Sequence, residues 1–422
     1  MTKLASKKMQ EGLAKIGIKP PTEGEMKHIS PEQMTAAEEA MVNSDSTEHE
    51  TSDIEPNITM SIKKKAEIEA NATQDQYRQN LVDASLNEGG SIHPLLINPK
   101  QTGGLGLCNP SIYDDGDDNF LVVVRNVSYT LHHNEGDQKF QTPWGPLNYV
   151  RPDNDATLRT TNFVGKLDKN GKAIGGLLWA HKVNTSKFKK PPVWEFVGLE
   201  DARIVRWKDQ NGKPTLYICG CRRDVKEDGE SRMEMSKIKI TKKGVKETAR
   251  HRIQPPVDKD AYCEKNWMPV TDLDNTFVKW VNPLEVVKAY PRTEGYRNSS
   301  EVEVKADPKT ALDLPYSPRG SSQVIPWKGK YRICVTHDVN FWHNEKGDRD
   351  AIYWHRFVVW DMDWNLVTMS RPWKFMDGRI EFCCGMASDG DDLLITFGYQ
   401  DNAAYLVRTP ESVFERFLGM EL

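Results

Sequence analysis

The sequence predicts an all-β fold of radially repeated small sheets, preceded by an N-terminal arm that has no core of its own. From residue 91 onward, short β-rich runs alternate with Gly, Asp, Asn and Pro, and helical periodicity is absent except near Pro410–Leu418. Turn-strand units recur as well. Asp114-Asp115-Gly116-Asp117-Asp118 precedes Phe120–Val124, and Asp389-Gly390-Asp391-Asp392 precedes Leu393–Phe397. Finally, all twelve Trp lie after residue 143, whereas residues 1–90 hold a single aromatic, Tyr77. Many short strands over about 330 residues suit a propeller. Pattern alone does not count the blades and leaves a large sandwich open.

Taken in order, the arm (1–90) lacks the aromatics needed to bury much apolar surface. Lys3–Ile16, with Leu4, Met9, Leu13 and Ile16 on one face, and about Ile62–Leu86 are helix-prone. Between them Ser44–Asn57 is acidic and polar, the composition of a disordered linker. An arm of this kind suits docking on a protein partner or self-association. Residues 91–422 form the β domain, ending in a short helix. Its strands include Phe120–Val124, Leu216–Cys219, Ile238–Ile240, Tyr331–Val335, Phe357–Trp360 and Leu393–Phe397. Turns of hairpin type fall at Asp115-Gly116, Lys169-Asn170-Gly171-Lys172, Gln210-Asn211-Gly212-Lys213 and Trp327-Lys328-Gly329-Lys330.

Charge and cysteines narrow the function. A formal net charge of -4 gives no global field to draw in nucleic acid. No apolar run is long enough to span a membrane, and the first residues lack a signal-peptide core. Seven cysteines, an odd number, point to reduced thiols and a cytoplasmic protein. Cys219-x-Cys221 and Cys383-Cys384 lie in apolar strand-like runs and read as core, so no metal or other cofactor is expected.

Polar clusters interrupt the strands. The densest is Phe196-Val-Gly-Leu-Glu-Asp-Ala-Arg-Ile204, where buried carboxylates would need a partner. Glu200 and Arg203, three apart, are expected to hold each other, and Asp201 to point to the opposite side of an extended chain as the catalytic acid. Other clusters are Cys108-Asn109-Pro110-Ser111, Arg125 to Tyr129, Asn162, Glu264-Lys265-Asn266-Trp267, Arg319-Gly320-Ser321, His337-Asp338 and Arg379-Ile380-Glu381. Arg222-Arg223 reads first as a solvated turn. Rings with carboxylates and amides suit a sugar, and Arg and Lys suit a phosphate.

Together these clusters resemble the five-bladed β-propeller family of β-mannoside phosphorylases and β-mannosyltransferases (glycoside hydrolase family 130), from about Asn109 to Leu406. Within it they are similar to a glycosyltransferase-like bacterial and viral branch. Gly198-Leu199-Glu200-Asp201-Ala202-Arg203-Ile204 looks like the family's Gly-Val-Glu-Asp-Pro-Arg-Ile motif, whose Asp is the single catalytic acid. Arg319-Gly320-Ser321-Ser322 sits at the family's Lys-Gly motif, and Thr336-His337-Asp338-Val339 resembles its Tyr-His-Gly-Val. Gly398-Tyr399-Gln400-Asp401 matches the ending of its last blade. Trp280-Val281-Asn282-Pro283 replaces a His-Arg-Pro that carries a phosphate-binding arginine in phosphorylases.

The resemblance implies a five-bladed propeller that transfers a glycosyl group, mannosyl by analogy, with inversion. The second substrate would be inorganic phosphate, a sugar phosphate or a nucleotide sugar. Asp201 would be catalytic, with Glu200 and Arg203 orienting it. Arg319, His337 and Lys265 would bind phosphate. Asn109, Arg125, Tyr129, Asn162, Glu264, Asn266, Glu381 and Asp401 would contact sugar. Three alternatives stay open at this point: a hydrolase with Glu264 or Glu381 as second carboxylate, a non-catalytic glycan-binding propeller, and transfer onto a modified nucleic acid.

Overall fold

The computed structural model describes residues 80–116, 119–132, 148–150, 157–168, 178, 180–256, 262–291, 299–314, 317–343 and 349–422. Within them the chain is all-β and propeller-like, as its sequence predicts. The strands group into five antiparallel blades around one axis. The first comprises Leu107–Asp114, Asn119–Val127, Leu158–Asp168 and Ala180–Asn184; the second Glu200–Lys208, Pro214–Arg222, Arg232–Thr241 and Gly244–Arg252. Their outermost strands join in parallel, with Val183 opposite Val245. The third blade is Met268–Pro269, Thr276–Val281, Leu284–Tyr290 and Ser299–Lys305. In the fourth, Arg319–Gly320 and Ile325–Trp327 pair with Tyr331–His343, followed by Arg349–Asp361 and Leu366–Met369. The fifth takes Glu381–Asp389, Asp392–Tyr399 and Ala403–Thr409 from the end of the chain and Ser91–Pro94 from before the first blade. Ser91 lies opposite Arg408 and Pro94 opposite Tyr405, so the two ends of the domain close the ring within one sheet.

This arrangement explains why the runs are apolar on successive residues. A blade buries both faces, and side chains alternate between them. Phe120, Val122 and Val124 pack with Leu394 and Leu406 of the fifth blade. Leu121 and Val123 point the other way, to Ile204 and Ile218 of the second. Equivalent clusters fill the remaining interfaces: Trp207 and Phe277 between the second and third blades, Val278 and Trp360 between the third and fourth, and Phe357 and Phe397 between the fourth and fifth. Each fully buried aliphatic or aromatic side chain contributes about 1.5–3 kcal/mol.

On the axis, Gln323 ties four blades together. Its Nε2 donates to Ser111 Oγ, Ile112 O and Ile204 O at 2.8–2.9 Å, and its Oε1 accepts from Met386 N at 3.1 Å. It is wholly buried and forms the floor beneath the site described below.

Two helices cover the fifth blade. Leu81–Asn87 is capped by Asn80, whose side chain accepts from Asp83 N at 2.8 Å. Its Leu81 and Val82 pack against Phe414 and Phe417 of the C-terminal helix Glu411–Leu418. The last residues of the arm, 81–90, are therefore packed on the blade. The helix-prone Lys3–Ile16, the acidic Ser44–Asn57, most of Ile62–Leu86 and the expected turn at 169–172 lie outside the described residues. No helix among the described residues is long and apolar enough to cross a membrane.

Candidate functional site

The innermost strands all begin at one end of the axis, and the polar clusters of the sequence gather there. Asn109 comes from the first blade, Glu200 and Asp201 from the second, Lys265 and Asn266 from the segment entering the third, Arg319 from the fourth, and Asp401 from the fifth. Asn109, Asp201, Asn266, Gln400 and Asp401 all adopt positive φ, between 44° and 62°. Such backbone costs about 1–3 kcal/mol per residue and gathers where a fold holds side chains for function. The blades approach closely at this end. A Cβ on Gly320 of the fourth blade would lie 2.0 Å from Asn266 O at the entry to the third, and within the second blade one on Gly220 would lie 2.2 Å from Glu200 O.

Asp201 is the centre of the cluster. Its Oδ1 accepts from Asn109 Nδ2 and from Arg125 NH1, each at 2.8 Å. Burial works to raise this carboxyl, but Arg125, Arg203, the Asn109 hydrogen bond and Lys265 outweigh it and hold Asp201 below its ordinary value. The group is therefore a carboxylate at neutral pH. Glu200 lies 3.8 Å from the same guanidinium, and there burial prevails and raises the carboxyl. Two adjacent acids are thus driven apart in pKa by their surroundings, a pattern found at proton-transfer sites.

The expected Glu200–Arg203 partnership is corrected here. Asp201 sits in a bulge, where the pairing of the strand with its neighbour slips between Cys219 and Cys221, and its positive φ breaks the alternation of faces. Glu200 and Asp201 consequently both face Arg125. Arg203 turns inward instead: its Nε donates to Ser321 O and its NH1 to Asp201 O, both at 2.6 Å, and it lies 5.9 Å over the Phe382 ring. It fixes the Asp201 backbone rather than the Glu200 carboxylate. Arg125 carries the orienting role, held in turn by Thr160 Oγ1 at 3.1 Å and Tyr129 OH at 2.9 Å.

The expected phosphate ligands form a cationic rim. Among the described residues no carboxylate pairs with Arg319 or Lys265, and the charge of Lys265 reaches Glu200, Asp201 and His337. His337 lies opposite Arg319 in the register, 3.0 Å from Ser321 Oγ through Nδ1, and stacks on Tyr353. Burial, with Arg319 and further cations beside it, pushes its imidazole well below the ordinary value, so the ring is neutral. A neutral histidine near such cations can donate one N–H to an anion without adding a buried charge.

The expected sugar ligands divide. Asn109, Arg125, Tyr129, Asn266 and Asp401 gather around Asp201. Asn109 and Arg125 bond it, Tyr129 holds Arg125, Asn266 Oδ1 lies 3.5 Å from Arg203, and Asp401 feels the charges of Arg125, Asp201 and Glu200. Asp401 is raised to about 6 by burial, against the pull of Arg125, with Asp201 and Glu200 adding to the rise. Asn162 donates to Leu199 O at 2.8 Å and holds the strand that carries the acids, while its buried Oδ1 has no hydrogen-bond partner among the described residues. Two expectations are corrected. Glu264 lies inside the third blade, 3.1 Å from Lys279 Nζ and accepting from Trp267 Nε1 at 2.9 Å. Glu381 accepts from the backbone N–H groups of Phe375, Met376 and Gly378 at 2.8–2.9 Å. Both carboxylates are consumed by the framework. Arg222 is not a solvated turn either: it is buried, with Nε 2.6 Å from Glu234. Among the described residues no group of three His, Cys, Asp or Glu is placed to hold a metal ion.

No family model matches the sequence, and no curated protein matches it. Several solved structures match it at low identity and low TM-score. A β-1,2-mannobiose phosphorylase from Listeria innocua matches with 11% identity and a TM-score of 0.38, over 74% of this chain and 92% of that one. A mannose phosphorylase from Leishmania mexicana matches with 12% identity and a TM-score of 0.38, over 83% and 93%. A GDP-Man-dependent mannosyltransferase from the same organism matches with 10% identity and a TM-score of 0.41, over 83% and 93%. Likeness at this level assigns no residue and no reaction.

Proposed function

We propose that this chain is a carbohydrate-active enzyme that transfers a glycosyl group, mannosyl by its motif resemblance, between a sugar carrying an anionic leaving group and an acceptor hydroxyl. The observation that carries this reading is one fixed carboxylate, Asp201, accompanied by two cations without a carboxylate partner among the described residues, Arg319 and Lys265, and by neutral His337.

In the synthetic direction the acceptor oxygen attacks the anomeric carbon as the bond to the phosphate oxygen breaks, inverting the centre. The acceptor proton passes to Asp201, which the site keeps ionised and ready to receive it. The negative charge that develops on the leaving phosphate is met by the rim. Run in reverse, Asp201 first takes a proton from the incoming dihydrogen phosphate and then gives it to the glycosidic oxygen while phosphate attacks from the opposite face. Only one carboxyl is then needed, whereas ordinary glycosidases use two. Hydrolysis through Glu264 or Glu381 is disfavoured, because Lys279 and three backbone amides already hold those groups. Asn109, Arg125, Tyr129, Asn266 and Asp401 border the space left for the sugar.

The test is a donor screen. Sugar 1-phosphates and common nucleotide sugars are offered with a panel of monosaccharide acceptors, and released phosphate or nucleotide is read. Turnover with a sugar phosphate supports phosphorolysis chemistry, and turnover with a nucleotide sugar supports transfer. Sugar release that needs neither would support hydrolysis. Glycan binding without turnover from any donor would reject the enzyme.

A further inference from the structure

The outer strands of the first and second blades, and the turn that follows the first, carry lysines with no carboxylate partner among the described residues. Lys239 and Lys246 lie directly opposite each other across the ladder, and Lys242 and Lys243 form the tip of the same hairpin. The parallel seam brings Lys182 alongside, next to Val183 and Asn184, which pair with Val245 and Lys246. Lys187 follows, its Nζ donating to Thr248 O at 3.0 Å. All six are exposed, and among the described residues none is paired with a carboxylate. Like charges facing each other across a strand pair are destabilising, so this face gains from an anionic cover.

The chain carries one. Between Lys27 and Lys63 there is no lysine or arginine, and eight carboxylates fall between Glu32 and Glu55. We propose that residues 32–55 dock on the lysine face of the first and second blades. The tether is long enough. Twenty-four residues lie between Glu55 and Asn80, the first described residue, which sits on the fifth blade. Extended, they span up to about 80 Å, against a radius of gyration of about 20 Å for a domain of this size. Each exposed ion pair is individually weak, so docking draws on several at once and on the high effective concentration that the tether supplies. It is therefore sensitive to salt.

Carbodiimide coupling of the full-length protein, mapped by peptide mass spectrometry on a mixture of isotopically heavy and light chains, tests this. The expected result is same-chain coupling of carboxylates in 32–55 to Lys182, Lys239, Lys242, Lys243 or Lys246, lost at about 0.5 M salt, where screening shortens to a few Å. Coupling is also expected to vanish when Lys239, Lys242, Lys243 and Lys246 are changed to Glu. It should return when Glu48→Lys, Glu50→Lys, Asp53→Lys and Glu55→Lys are added, a charge swap that also controls for folding. Coupling only between heavy and light chains would overturn the proposal, as would coupling to other lysines. So would a single-stranded oligonucleotide that binds the lysine face equally well whether or not the arm's carboxylates are neutralised, since the face would then be free for nucleic acid.

Discussion

Replacing Arg125 with Gln removes the side chain that pairs with both acids of the site among the described residues. Its guanidinium lies 2.8 Å from Asp201 and 3.8 Å from Glu200, and is itself almost wholly buried. An opposite charge at that range lowers a carboxyl by about 1–3 pH units, each worth about 1.4 kcal/mol. With the cation gone, burial acts unopposed from that side and Asp201 rises. If Asp201 is the base for transfer, activity falls as pH drops through its pKa, so the acid limb of the pH–rate profile in Arg125→Gln should move up by about 1–3 pH units. Arg125→Lys keeps the charge and should move it less. The stability consequence has a definite sign. Asp201 is lowered in the folded protein, so its contribution is present above the unfolded carboxylate value and is lost as pH falls through the folded one. In Arg125→Gln that contribution shrinks, and urea midpoints near neutral pH should drop. Initial rates with the donor found in the screen, from pH 4 to 9, provide the assay. Lost turnover with an unmoved acid limb would refute the argument and leave Arg125 a packing residue.

Other consequences are more local. Arg319→Ala and Lys265→Ala each remove an uncommitted cation from the rim, and each should raise the donor KM by about 10–100-fold with little change in melting temperature, measured by steady-state kinetics and calorimetry. Lys279→Met should destabilise the fold by about 3–5 kcal/mol in urea, because it strands the Glu264 carboxylate, whereas changing both partners to apolar residues should cost less. Asp401, raised to about 6 by burial, costs stability as pH climbs from the ordinary carboxylate value through 6. Asp401→Asn should flatten stability across that window and remove a titration near 6 from the pH profile of donor binding.

The blades could be read from the sequence because each strand is written in local code. The turn at Gln210–Lys213 places Gly212 at positive φ where the chain reverses, and Lys328-Gly329 does the same. The run Phe120–Val124 is apolar on successive residues because its two faces meet different neighbours. The site was legible as residue types gathered at strand ends, where Asp201, Asn109 and Asn266 come together with positive φ, although Asp201 shares a side with Glu200. What the sequence hid were pairings between distant segments. Glu264 looks as available as Asp201 until Lys279 comes beside it from the next strand, and Glu381 looks free until a loop wraps three amides around it. Arg125 and Glu200 are 75 residues apart, and the bulge that turns both acids to one guanidinium leaves no mark in Glu-Asp-Ala-Arg. Gln323 shows the limit most plainly. A lone glutamine after Ser-Ser gives no sign that it will join four blades.

The central claim is that Asp201 moves the proton. Single turnover of Asp201→Asn and wild type, with donor binding measured alongside by calorimetry, tests it most directly. Asparagine keeps the shape and can still pair with Asn109, so the account predicts unchanged folding, donor affinity within about tenfold, and a rate lowered by about 10²–10⁴. Near-normal turnover with donor bound would contradict it and transfer the catalytic role to another group of the site.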